Sequence, residues 1–226
     1  MYALYFGNMN YSSWSLRPWI LLRHFDIPFE AHRVQVRGSG PTDLHRSYSP
    51  NGLVPCLHVD GFQVFDTLAI AEFLAERHAG LWPDDWKARA RARSVSAEMH
   101  SGFGALRSAM PMNVRMKCVG AELDAAVAAD VARVAAVWTE ARESFATGDE
   151  PWLFGAFSVA DAMFAPVVWR FATYNVDLPP VAAAYRDAML GHPAMREWEQ
   201  GARAEAQSMP AYDAYASRFG GLREGT

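Results

Sequence analysis

The sequence predicts an α/β unit followed by an all-α unit. Short apolar strand runs fall between Tyr2 and Phe65, and alanine-rich runs with helical spacing occupy the chain from Trp86 onward. Between them Gly80-Leu81-Trp82-Pro83-Asp84 reads as a linker. The expected domains are therefore 1–80 and 86–226.

In chain order, Tyr2-Phe6 is a short apolar-aromatic strand closed by Gly7-Asn8. Tyr11-Arg17 enters a helical pattern with Leu16, Trp19 and Ile20 on one face. Pro18 is expected in the first helical turn, where its missing N–H costs nothing. Ile27-Pro28 ends that helix, and Ala31-Val36 reads as a second strand. Residues 37–52 are loop-like, broken by Gly38, Gly40, Pro41, Pro50 and Gly52.

The stretch Ser49 to Thr67, SPNGLVPCLHVDGFQVFDT, is the densest in local signals. Val54-Pro55 removes a donor and fixes φ. Cys56-Val59 and Phe62-Phe65 are apolar runs separated by Asp60-Gly61, the pair a type I′ hairpin turn prefers. Asp66-Thr67 then stands where a short polar residue caps the helix Leu68-His78.

Beyond the linker, Val95, Met99, Leu106 and Met110 keep helical spacing through Trp86-Met110. In Ala121-Thr147 the series Leu123, Val127, Val131, Val134, Trp138, Ala141, Phe145 forms one stripe. Phe157-Thr173 and Val181-Leu190 are further helices, Pro193 opens another through Glu205, and the tail past Met209 is expected to be irregular. Ser158-Val159-Ala160-Asp161 has the spacing of a capping box.

Composition narrows the function classes. The 226 residues are 51% hydrophobic and 20% charged, an ordinary globular balance with room for one large or two modest domains. A net charge of −4 gives no general attraction to nucleic acid or anionic lipid, so neither partner is expected. Lys87-Arg93, KARARAR, is the densest basic run, and on a helix it reads as a solvated face. No apolar run approaches the roughly 18–20 residues of a membrane helix, and MYALYFGNMN lacks the basic and apolar regions of a signal peptide. Cys56 and Cys118 make neither a disulfide framework nor a C-x-x-C, which suits a reducing cytoplasm. The seven histidines show no metal-ligand spacing, so no metal is expected. No phosphate-binding glycine motif occurs.

Taken in order, LVPCLHVDGFQVFDTLAIAEFLAER resembles the second half of a glutathione-transferase N-terminal domain, a thioredoxin-like unit. The resemblance implies that architecture for the chain: a thioredoxin-like α/β domain plus an all-α helical domain. At the first strand-to-helix junction a redox relative would place C-x-x-C; this chain has Ser12-Ser13-Trp14-Ser15 and no thiol to exchange. It can instead bind one. A helix N-terminus stabilises an anion, and such surroundings lower a thiol pKa from about 8.5 by one or more units.

SSWSLR is similar to the Ser-Ser-Cys-Ser-x-Arg run of the zeta class, with Ser12 in the place of the activating serine and Ser13 in that of the second. Which of the two faces the thiol stays open. Trp14 replaces the zeta cysteine, so that class's maleylacetoacetate isomerase activity is not carried over. The same resemblance implies that Val54, before the cis candidate Pro55, pairs its backbone with glutathione, and that Asp66-Thr67 binds the γ-glutamyl end. Leu53 stands where the zeta pattern has Gln and cannot make that side-chain bond. Arg37 and His45 are candidates for the glycyl carboxylate. The electrophile site is expected where the helical domain faces Ser12, with Trp14, Met110, Met112, Asn113, Arg115 and Trp169 as candidates; methionine suits a shape-tolerant pocket.

The function implied is that of a cytoplasmic detoxifying transferase, a homodimer, with glutathione as co-substrate. A glutathione-dependent isomerase or reductase on the same scaffold is one competitor. A non-catalytic binding protein is the other.

Overall fold

The computed structural model describes residues 1–36, 40–119, 123–146, 148–217 and 220–222. Its first part is β1 (Tyr2–Phe6), α1 (Ser13–His24), β2 (Phe29–Arg33), the single turn α2 (Asp43–Arg46), β3 (Cys56–Val59), β4 (Phe62–Phe65) and α3 (Thr67–Ala75). The four strands form one sheet in the order β2-β1-β3-β4. β1 runs parallel to β2 and antiparallel to β3, and β3 pairs antiparallel with β4. Crossing from β1 to a parallel β2 requires a long connection, which α1 supplies. Leu4, Leu57, Leu16, Ile20, Ile70 and Leu74 bury fully between the sheet and its helices.

The hairpin follows its dipeptide: Asp60 at φ 49° and Gly61 at φ 81° are both left-handed, as a type I′ turn requires. β2 begins two residues earlier than its apolar pattern suggested, because pairing with β1 fixes the ladder, Tyr2 opposite Phe29 and Phe6 opposite Arg33. Pro18 lies in the second turn of α1, not the first. It therefore cannot donate to the Trp14 carbonyl one turn back, and the Thr67 hydroxyl donates to that carbonyl at 3.1 Å instead.

The second part comprises α4 (Trp86–Ser101), α5 (Gly104–Ala109), β5 (Met116–Cys118), α6 (Ala125–Phe145), α7 (Val159–Thr173), α8 (Pro180–Gly191), α9 (Pro193–Ala204), α10 (Pro210–Ser217) and β6 (Gly220–Leu222). α7 is the central element. It packs on α1, α4 and α8, and residues from Val159 to Phe171 are buried on every side. Its start carries the expected box: the Asp161 carboxylate accepts the N–H of Ser158 at 2.9 Å and that of Leu153 at 3.0 Å.

Four expectations need correction. The helix drawn through Trp86-Met110 breaks at Gly102-Phe103, where Phe103 is left-handed at φ 59°. A Cβ on Gly102 would lie 2.7 Å from the Glu98 carbonyl, so a side chain cannot stand at that break. Leu123 lies outside α6, since Asp124 caps the helix by accepting the Val127 N–H. Strands do recur after the linker, as β5 and β6 pair antiparallel. The tail is not irregular: α10 forms past Met209. Residues 121 and 147, at the ends of the stripe, and Arg37 fall outside the described residues.

Candidate active site

A cleft of about 820 Å³ opens between the start of α1, the loop before β3, the start of α3, and α5, α7 and the tail of the helical part. Ser12, Ser13, Trp14, Leu53, Val54, Pro55, Asp66, Thr67 and Met112 all line it. These residues come from distant stretches of chain, and the sheet topology explains their meeting. β1 ends beneath α1, and β3 lies beside β1, so the turn before β3 adjoins the serine-bearing junction.

Ser12 is the N-cap of α1 and Ser13 its first residue. Ser12 Oγ lies 2.8 Å from Ser15 Oγ, which accepts the N–H of Gly7 at 2.9 Å. The approach is close: a Cβ on Gly7 would lie 3.0 Å from Ser12 Oγ and 2.8 Å from Val36, so glycine is needed where β1 leaves the sheet. Exposed N–H groups at this helix start give the cleft a partial positive charge.

Across the cleft the Val54-Pro55 peptide is cis. Asp66 caps α3, its Oδ1 accepting the N–H groups of Leu68 at 2.9 Å and Ala69 at 3.3 Å, while Oδ2 lies 3.3 Å from His100 Nε2. The Thr67 hydroxyl is committed to Trp14 and the Leu68 and Ala69 N–H groups to Asp66, so the donor left for a carboxylate at this point is the Thr67 backbone N–H. His45 lines the cleft, with its ring nitrogen 3.2 Å from the Gln35 carbonyl.

Arg115 and Trp169 do not line the cleft. Arg115 donates to the carbonyls of Glu205 at 2.7 Å and Gln207 at 3.0 Å and to the Tyr11 hydroxyl at 2.9 Å, so it ties down the segment before α10. Trp169 is fully buried in α7. Met110 and Asn113 are also buried and off the cleft wall, which Pro111 and Met112 provide.

Three arginines that sequence reasoning did not single out as site residues share the wall: Arg17, Arg107 and Arg170. The guanidinium carbons of Arg17 and Arg107 stand 4.4 and 4.8 Å from the Trp14 ring centroid, a double cation–π contact. Burial, then repulsion from Arg107, lowers Arg170 to about 10, which leaves it charged at neutral pH. Burial, then repulsion from Arg107 and Arg170, also lowers Arg17. The available signal was a charge inside an apolar run, as in VVWRFA around Arg170. Tyr11, Met209 and Tyr212 also line the cleft.

Among the described residues no group of three or more His, Cys, Asp or Glu is placed to hold a metal ion. Likewise no helix among them is long and apolar enough to cross a membrane.

Comparison with known proteins agrees with this architecture. The family model described as glutathione S-transferase, N-terminal domain, matches residues 11–77, and that described as glutathione S-transferase, C-terminal domain, matches 124–201. A relative named probable maleylacetoacetate isomerase, from Caenorhabditis elegans, is 25% identical over 180 residues, 77% of this chain and 80% of that protein. A solved glutathione transferase homolog from Burkholderia with bound glutathione superposes with a TM-score of 0.67 at 22% identity, covering 90% of this chain and 99% of that one. The holo structure of maleyl pyruvate isomerase, a bacterial zeta-class glutathione S-transferase, gives the same score and identity over 91% and 100%.

Proposed function

Since the chain belongs to the glutathione S-transferase family, we propose that it binds glutathione in the cleft and activates the thiol as thiolate for attack on an electrophilic small molecule. The observation that carries this reading is the convergence of the Ser12-Ser13 helix start, cis Val54-Pro55 and Asp66-Thr67 on one cavity. The backbone of Val54 pairs with the cysteinyl amide, with Pro55 and Leu53 beside it. Asp66 meets the α-ammonium, and the N-terminus of α3 meets the α-carboxylate. The thiol then lies by Ser12 and Ser13 at the positive end of α1. Trp14 and Met112 face the electrophile.

Two domains, 1–80 and 86–226, a homodimeric assembly and a detoxifying role in the cytoplasm complete the proposal. Calorimetric titration with glutathione, followed by turnover of an activated aryl halide, tests it. Binding and conjugation are expected, and absence of binding overturns the reading.

A glutathione-dependent isomerase is the second reading, favoured by the likeness to proteins named maleylacetoacetate isomerase. It adds the same thiolate to an activated double bond, lets the resulting C–C single bond rotate, and then expels the thiolate as the C–S bond breaks and the double bond re-forms. Isomerisation of a cis-enone acid without net consumption of glutathione separates the two.

A further inference from the structure

Three guanidiniums face one cleft, and none forms an ion pair among the described residues. The carboxylate whose charge acts on Arg17, that of Asp66, pairs instead with His100 at 3.3 Å. The hydrogen bonds of the three guanidiniums go mainly to main-chain carbonyls, while Arg17 Nη1 is buried with no hydrogen-bond partner. Arg17 Nε reaches Met163 at 2.9 Å, Arg107 Nη2 reaches Met99 and His100, and Arg170 Nη1 reaches Met110 and, at 3.2 Å, Arg107. A site built for a carboxylate presents two parallel N–H groups of one fork to it. The forks of Arg107 and Arg170 are turned to the main chain, so what these two supply to the cleft is positive potential more than a bidentate grip. The contact the cluster makes toward the mouth of α1 is Arg170 Nη2, 3.4 Å from Ser13 Oγ.

We propose that Arg170, acting through Ser13, is a positioning residue for the thiolate. Its N–H occupies the acceptor side of the Ser13 oxygen, which turns the Ser13 proton toward the sulfur. Its fixed charge, backed by Arg107 and Arg17, favours the ionised form. The S–H bond breaks with the electron pair left on sulfur, and the proton leaves to solvent; Ser13 and Arg170 keep theirs. The inference rests on the glutathione-transferase reading and adds a source of thiolate stabilisation beyond the helix end and the serine pair.

The test is the thiolate ultraviolet band of bound glutathione, titrated against pH in wild type, Ser13→Ala, Arg170→Gln, Arg170→Lys and the Ser13→Ala/Arg170→Gln double variant. Ser13→Ala and Arg170→Gln are each expected to raise the thiol pKa by about one unit, a tenfold loss in acid constant. The double variant shifts by clearly less than the sum of the two, since the Ser13 contribution is shared, and Arg170→Lys recovers part of the effect. Glutathione bound and ionised by Arg170→Gln as in wild type overturns the inference. So do additive shifts, or an effect confined to the KM of the electrophile. If Arg170→Gln does not fold, Ser13→Ala decides: wild-type ionisation there also overturns it. Failure of wild type to bind glutathione is a different result, and it removes the functional reading as well.

Discussion

The Thr67 hydroxyl donates to the Trp14 carbonyl at 3.1 Å, the carbonyl that Pro18 leaves without its helical partner. One bond thus closes a gap in α1 and fastens the serine-bearing turn to the start of α3. Thr67→Val keeps the shape and removes the donor. It is expected to cost about 1–3 kcal/mol, the penalty for a buried unsatisfied group, while Thr67→Ser stays near wild type. Denaturant unfolding of the two variants checks this.

Asp66 combines two tasks that substitution separates. Asp66→Asn keeps an oxygen for the Leu68 and Ala69 N–H groups and loses the charge; Asp66→Ala loses both. Stability should fall by about 0.5–2 kcal/mol in the alanine variant and little in the asparagine one. Glutathione affinity should fall in both. Melting temperatures set beside calorimetric titrations give the comparison.

Tyr11, directly before Ser12, donates to the Asp213 carboxylate at 2.7 Å and accepts the Met209 N–H at 3.1 Å and an Arg115 N–H at 2.9 Å. Tyr11→Phe removes this hub between the cleft and α10. Faster amide exchange in the residues 205–217 is expected, with α7 unaffected.

His192 sets an acid limit. Its Nδ1 accepts the Ala194 N–H at 3.1 Å, which places the proton on Nε2, 2.8 Å from His24 Nδ1. Burial, then the His24 charge, lowers it from 6.5 to about 4. The folded state therefore binds fewer protons than the unfolded one in this window, and stability is lost as pH falls from 6.5 through 4. The full shift corresponds to about 3 kcal/mol. Asp161 acts oppositely: burial raises it to about 6, so its contribution weakens as pH rises from 3.8 to 6. His192→Asn keeps a capping oxygen without titrating, and its acid unfolding profile should be flatter than that of wild type.

Local chemistry was legible in the sequence where neighbours in the chain decide the outcome. Asp60-Gly61 dictates its turn, Asp66 and Ser158 their caps, and the stripe from Val127 to Ala141 its helix. The cleft residues gathered by the first domain were legible too, because their motif order encodes the sheet that joins them. What distant contacts decide was not legible. Arg115 and Trp169 point away from the cleft because of how β5 and α7 are seated, and no spacing rule carries that rotation. The arginine wall is similar: Arg17, Arg107 and Arg170 lie far apart in the chain, and only packing brings them to one cleft.

The central claim is that the helix start at Ser12-Ser13 ionises glutathione. The direct test is the ultraviolet difference spectrum of bound glutathione across pH for wild type, Ser12→Ala and Ser13→Ala. A thiolate band near neutral pH in wild type, diminished in a serine variant that still binds, is the predicted result. Glutathione bound by wild type with its thiol intact at neutral pH would contradict the account.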